Sequence, residues 1–321
     1  MLIFFDLEGP LSPQDNAYEV LSLAENGRKI FEIISRYDDV LTLEGRRNYE
    51  PGDTLKLIVP FLIYHKISEE DIRKVSRKAR VVKGARGVIS ELRKEGWKVR
   101  IISTSYEQHA FNIGRKVGVQ QEDIACTMLP LDNYASELKN ADFRIIRDLE
   151  ERILDEKDEQ KIVKILDDFF FNKLQKTPLG RVFSEVAVVG GQRKVDAMQR
   201  FVESEGADFK EVVAVGDSIT DYKILEKVKE SAGLAIVFNG NEFAVPYASV
   251  GVASTTLRSI LPITSAFLKG GKDKAVEAAR RLEKSTNYSC LESGDKKKLE
   301  QVINTHKRYR MLVRGQAGKL G

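Results

Sequence analysis

The stretch MLIFFDLEGP, residues 1–10, sets the reading of the whole chain. Its apolar run stops at Asp6, and Leu7, Glu8 and Gly9 follow at once. An apolar run without alternation reads as a central strand of a parallel sheet, buried on both faces. In doubly wound sheets ligands bind at the carboxyl ends of the strands, so a carboxylate that closes the first strand stands where chemistry is done. By itself the segment reads equally well as an ordinary strand with an acidic turn.

A second stretch of the same kind is EVVAVGDSITD, residues 211–221, where an apolar strand over 212–215 ends in Gly216 and Asp217, with Asp221 four residues later. One short turn can aim both carboxylates at a hard cation, and oxygen ligands are what Mg²⁺ selects. Between the two lies GARGVISELRKEGWKVRIISTS, residues 84–105. It predicts a helix with Val88, Ile89 and Leu92 on one side, a glycine stop at Gly96, and a strand through Val99, Ile101 and Ile102. That strand ends in Ser103, Thr104 and Ser105, whose hydroxyls can bond a phosphate oxygen or cap the next helix. Residues 185–189, EVAVV, read as a further strand before a helix that begins near Lys194, and residues 234–238 read as another, ending at Asn239 and Gly240.

The rest of the chain is helical in texture. Residues 12–81 carry helical spacing and an N-cap with acidic followers at Ser68, Glu69, Glu70 and Asp71. Residues 134–177 hold two stripes, Ile145, Leu149, Ile153 and Ile162, Leu166, Phe169, which read as an antiparallel helical pair. The consecutive Phe169, Phe170 and Phe171 cannot all face one side, so part of this run is expected to meet a second surface, in the chain or in another copy of it. Beyond residue 264 two charged helices are expected, over 272–281 and 295–309. The basic end of the chain, with Lys307, Arg308, Arg310, Arg314 and Lys319, reads as a solvated tail or a weak contact for an anionic partner.

Composition bounds the function. The 321 residues are 42% hydrophobic and 31% charged, enough for a sizeable core in more than one compact unit. The net charge of +4 is small beside 52 basic and 48 acidic side chains and does not point to nucleic acid. No apolar run approaches the roughly 20 residues of a spanning helix, and no charged leader precedes the first strand, so no membrane partner and a cytoplasmic location are expected. Cys126 and Cys290 have no metal-ligand spacing and read as inert thiols. His109 reads as a packed or solvated histidine without a catalytic partner.

The ordered set Asp6/Glu8, Ser103, Lys194 and Asp217/Asp221 resembles the haloacid dehalogenase superfamily of phosphohydrolases. The DLEG start, the helical insertion after the first strand and the segment GWKVRIISTS look most like its phosphoserine phosphatase branch. The resemblance implies an α/β fold, a doubly wound Rossmann-like parallel sheet with an inserted helical cap and additional helices. Residues 1–11, 82–133 and 178–264 would form the core, residues 12–81 the cap, 134–177 a helical insertion and 265–321 a C-terminal helical extension.

The resemblance also implies a chemistry. Asp6 would be the nucleophile that forms an aspartyl-phosphate, and Glu8 the acid that protonates the leaving oxygen and then activates water. Mg²⁺ would be held by Asp6, Glu8 through its carbonyl, Asp217 and Asp221, while Ser103 and Lys194 bind the phosphoryl oxygens. Thr104, Arg46, Arg47 and Asn239 are the further candidates for substrate binding, with a small phosphorylated metabolite, phosphoserine-like or another, as partner. Phosphotransferase activity fits the same residues. Two positions depart from the superfamily: Glu8 stands where Asp is common, with one more methylene of reach, and Pro10 where Thr often occurs. These departures, with the extra helices, keep a second reading open, a noncatalytic binding or assembly subunit that pairs through its helical insertion.

Overall fold

The computed structural model describes residues 1–283, 287–292 and 296–319. Seven strands form one sheet: β1 Leu2–Phe5, β2 Lys98–Tyr106, β3 Ile124–Thr127, β4 Val212–Gly216, β5 Leu234–Phe238, β6 Val250–Val252 and β7 Tyr288–Cys290. Their spatial order is β3-β2-β1-β4-β5-β6-β7, parallel throughout except for β7, which runs antiparallel to β6. The chain builds outward from β1 in one direction and from β4 in the other, so the switch point of this doubly wound sheet lies between those two strands. Phe5 sits beside Val215 in the register. Asp6 and Asp217 therefore leave the sheet at neighbouring points.

The period of two along each strand decides which core a residue joins. Ile3, Phe5, Val213 and Val215 pack on one face with Val88, Ile89 and Leu92 of the helix Ala85–Lys94. Leu2, Phe4, Val212 and Ala214 pack on the other with Ala197 and Met198 of Gln192–Ser204 and with Ile224 and Leu225 of Tyr222–Glu230. Burial on both faces is what the unbroken apolar runs of β1 and β4 require.

A third core belongs to the helices after β1. Ser68 caps the helix Glu69–Lys78 with a reciprocal box, its hydroxyl accepting from the Asp71 N–H while the Asp71 carboxylate accepts from the Ser68 N–H. The helices Asn140–Asp155 and Glu159–Asp168 share this core with Gly27–Leu43, so residues 134–177 pack with the insertion after β1. The phenylalanine run is covered within the chain: Phe170 stacks on Tyr37 with centroids 6.1 Å apart, and Phe171 lies under the Arg46 guanidinium.

Three segments differ from the sequence reading. Residues 185–189 are not a strand: Val186 and Val188 are buried in the cap core, and the Val189 N–H donates to Thr127 Oγ1 at 3.0 Å instead of to a strand partner. The sheet is not complete at residue 264, because β7 adds an edge and the segment Leu261–Glu283, helical on either side of a break at Gly270 and Gly271, packs Ile263, Phe267 and Ala275 against it. The last helix, expected over 295–309, is Lys296–Arg314, and Asp295 lies outside the described residues. No helix among the described residues is long and apolar enough to cross a membrane.

Candidate active site

At the switch point four acidic or basic side chains leave the sheet edge and meet. Asp6 follows β1, and its N–H donates to the Val215 carbonyl at 2.8 Å, which fixes the first loop against β4. Lys194, on the helix Gln192–Ser204, is fully buried and donates to Asp6 Oδ1 and to Asp221 Oδ1, each at 2.6 Å. Burial opposes the ammonium charge, but Asp221 and Asp6 outweigh it and hold Lys194 above the ordinary lysine range. Asp221 is held in turn by the N–H groups of Asp217 at 2.9 Å and Ser218 at 3.1 Å.

Gly9 lets this cluster close. Its φ of +120° suits glycine, and a Cβ there would lie 2.3 Å from the Asp217 carboxylate. Asp217 thus packs directly over the first loop.

Glu8 is gripped by one oxygen. Its Oε1 accepts from Ser105 Oγ at 2.6 Å and from the Asn16 N–H at 3.1 Å, and His109 Nε2 stands 3.8 Å away. Burial, with the charge of Asp15 nearby, pushes Glu8 up to about 8. His109 is fully buried, bonded through Nδ1 to Ser76 Oγ at 3.0 Å, and burial pushes it down to about 3. It is a neutral ring beside Glu8, closer to the site than the sequence reading placed it.

Asp6 and Glu8 open onto a cavity of about 90 Å³, which Lys194, Asp217 and Asp221 do not line. Ser103, Thr104 and Ser105 line its core side, with Asp6 and Glu8, while Asp15, Ser35, Asp38 and Asp39 line it from the cap. Ser103 Oγ accepts from the Ser105 N–H at 3.1 Å.

Three expected residues lie elsewhere. Arg46 donates to Asp167 Oδ1 at 2.6 Å and sits 3.6 Å over the Phe171 ring, and Arg47 is exposed; neither lines the cavity. Asn239 exchanges two hydrogen bonds of 2.8 Å with the backbone of Ser254 and is engaged in joining β5 to the segment after β6. The thiols are free, Cys290 buried and Cys126 half-buried, the latter pushed up to about 12 by burial.

The basic end of the chain is in the site. Arg310 and Arg314 both donate to Asp217 Oδ2, the Arg314 contact at 3.0 Å, and both line the cavity. His306 anchors the same helix, its Nδ1 accepting from the Gly240 N–H at 3.0 Å. Two of the basic residues assigned to a solvated tail are thus buried ion-pair partners, because the last helix packs along the strand ends. The signal for this was their four-residue spacing, which puts them on one helix face.

Asp6, Asp217 and Asp221 each offer a carboxylate oxygen within 4.8 Å of the others. Asp217 Oδ1 is buried with no hydrogen-bond partner among the described residues. An unpartnered buried carboxylate oxygen is costly, and an all-oxygen set is what Mg²⁺ takes. These residues fit that ion.

The sequence profile of the haloacid dehalogenase-like hydrolases matches residues 86–256, more than half of the chain. The chain belongs to this family. The family match takes in Ser103, Lys194, Asp217 and Asp221, and stops short of Asp6 at one end and of Arg310 and Arg314 at the other. Among solved structures, gene product AF1437 from Archaeoglobus fulgidus is 31% identical over all of this chain and 98% of that one, with a TM-score of 0.88. A substrate-bound phosphoserine phosphatase complex is 19% identical, covering 81% of this chain and 96% of that one, with a TM-score of 0.54. A probable phosphoserine phosphatase from Vibrio cholerae is 18% identical over 88% of this chain and 66% of that one, with a TM-score of 0.52. The two phosphatases share the family fold with this chain. No curated protein sequence matched it significantly.

Proposed function

We propose that this hydrolase is a Mg²⁺-dependent phosphatase of a small phosphomonoester, acting through an aspartyl-phosphate on Asp6. The observation that carries the reading is the buried Asp6–Lys194–Asp221 chain facing the unpartnered Oδ1 of Asp217. Asp6, Asp217 and the carbonyl of Glu8 would hold the ion, with Asp221 close by. Bound there, Mg²⁺ screens the attacking carboxylate from the phosphoryl group and stabilises charge on its oxygens.

The chain's own residues supply the rest. The Asp6 carboxylate attacks phosphorus, and the ester P–O bond breaks. Both hydrogen-bond donors on Glu8 grip Oε1, which leaves Oε2 to carry the proton that goes to the departing oxygen. The resulting Glu8 carboxylate takes a proton from water, whose oxygen attacks phosphorus and frees Asp6 with release of phosphate. Lys194 and the Ser103 hydroxyl would bind the phosphoryl oxygens, Ser103 from the cavity wall and Lys194 from its place beside Asp6. The leaving group would face the cap residues that line the cavity, Ser35, Asp38 and Asp39 among them.

The test is a panel of phosphorylated metabolites assayed with and without Mg²⁺, on the wild type and on Asp6→Asn. Turnover is expected to require the ion and to fall to the uncatalysed background in the near-isosteric variant. Phosphate release by purified Asp6→Asn would remove the nucleophile assignment.

A further inference from the structure

Among the described residues, six buried side chains of opposite charge are ion-paired at the strand ends, with Glu8 and Asp15 lining the same cavity. Asp6, Asp217 and Asp221 contribute three negative charges, and Lys194, Arg310 and Arg314 three positive ones, with no side chain among them more than 6% exposed. The division of labour is uneven. Lys194 serves Asp6 and Asp221 together, whereas two guanidinium groups converge on one oxygen of Asp217. The other oxygen, Oδ1, has no hydrogen-bond partner among the described residues.

The arginines are built in firmly. Arg310 Nε donates to the Gly318 carbonyl at 3.0 Å and its Nη1 also reaches the Asp217 carbonyl at 3.2 Å, while Arg314 Nε reaches the Pro13 carbonyl at 3.4 Å. A guanidinium keeps its proton in proteins, so it holds its charge when another cation approaches. A cation taken by Oδ1 shares its carboxylate with two permanent positive charges.

We infer that Arg310 and Arg314 are positioning residues of the cation site: they hold Asp217 by Oδ2, present Oδ1, and make cation binding depend on an anion arriving with it. This rests on the proposed cation site at Asp6 and Asp217. A divalent ion on Oδ1 meets the like charge of two guanidinium groups on the same carboxylate, in a site of low dielectric. A phosphoryl dianion offsets that repulsion. Substrate and ion are therefore drawn in as a pair, and the free protein holds the ion weakly. The coupling resides in a helix that lies outside the region matched by the family profile.

The experiment counts unbound Mn²⁺ by its paramagnetic resonance at neutral pH, with the full chain, with and without saturating inorganic phosphate. Phosphate is expected to tighten Mn²⁺ binding by the wild type about tenfold or more. Arg314→Met, and Arg314→Gln as a second neutral variant that keeps a donor, are expected to bind Mn²⁺ about tenfold more tightly than the wild type without phosphate and to gain less from it, since one like charge has gone. Arg314→Lys, which keeps the charge, is expected to behave as the wild type. Unchanged or weaker Mn²⁺ binding by both neutral variants overturns the inference, as does a lysine variant that behaves like them. Asp217→Asn separates the two levels. If it binds Mn²⁺ as the wild type does, or if no form binds, the cation site itself falls and the inference with it.

Discussion

Two pairs of arginines invite opposite readings in the sequence and take opposite places in the structure. Arg46 and Arg47 sit in the insertion after β1, where a substrate-reading cation is looked for. Arg310 and Arg314 sit in a basic run near the other end, where solvated tails are common. In the fold, Arg46 is a half-exposed partner of Asp167 and Phe171, and Arg47 faces solvent. Arg310 and Arg314 are buried on Asp217. The difference teaches that an arginine's sequence neighbourhood says little about its work. What decides is the acid that the fold brings to it, here from 93 residues away.

The largest effect that sharpens this contrast is on stability. Arg310→Ala leaves a buried carboxylate with one counter-charge fewer, and breaking a buried pair costs about 3–5 kcal/mol. Urea denaturation is expected to show a loss of that order, and a loss below about 1 kcal/mol would mean that Asp217 is solvated or neutral in the folded protein.

A smaller effect comes from Asp38, the cap's buried carboxylate, with which no lysine or arginine forms a salt bridge among the described residues. It accepts from Tyr49 Oη at 2.5 Å and from the Gly52 N–H at 3.3 Å, yet burial outweighs these bonds and pushes it up to about 7. The folded protein then keeps the Asp38 proton up to about pH 7, whereas the unfolded chain, at the ordinary carboxyl value of 3.8, has released its own. Between those values the unfolded state binds fewer protons, so stability falls as pH rises. Asp38→Asn removes this dependence. The stability of the variant relative to the wild type is expected to climb by up to about 1.4 kcal/mol per pH unit across that window. A flat difference from pH 4 to 7 would show that Asp38 is ionised in the fold.

The smallest effects belong to the other arginine pair. Arg46→Ala loses a partly exposed ion pair and a stacking contact, about 1 kcal/mol of stability or less. Neither Arg46→Ala nor Arg47→Ala is expected to change kcat/KM more than about twofold on any ester, because neither side chain lines the cavity. A selective loss on one carboxylate-bearing ester, large enough for a buried charge pair at about 2–5 kcal/mol, would return Arg46 or Arg47 to substrate recognition and dissolve the contrast.

What could be read from the sequence follows from how each part is encoded. β1 and β4 announce themselves because burial on both faces demands unbroken apolar runs, and the carboxylates that end them mark the sheet edge. The last helix hides its buried face. Val302, His306, Arg310 and Arg314 stand four apart and point inward, but three of the four are polar or charged, so hydropathy reads the stripe as solvent-facing. Residues 185–189 fail for the opposite reason. They are apolar with alternation, yet the burial they satisfy is in the cap core and not in the sheet. Strand β6 has 3 residues, too few for a period to show, and β3, IACT, lacks the unbroken apolar run that marks β1.

The long reach between Asp217 and its arginines has a consequence for synthesis. On a ribosome adding about 5–20 residues per second, the 93 residues that separate Asp217 from Arg310 take several seconds to follow it. Throughout that interval β4 carries at its tip a carboxylate whose guanidinium partners have not been made. All seven strands are translated before the helix Lys296–Arg314 brings Asp217 its guanidinium partners.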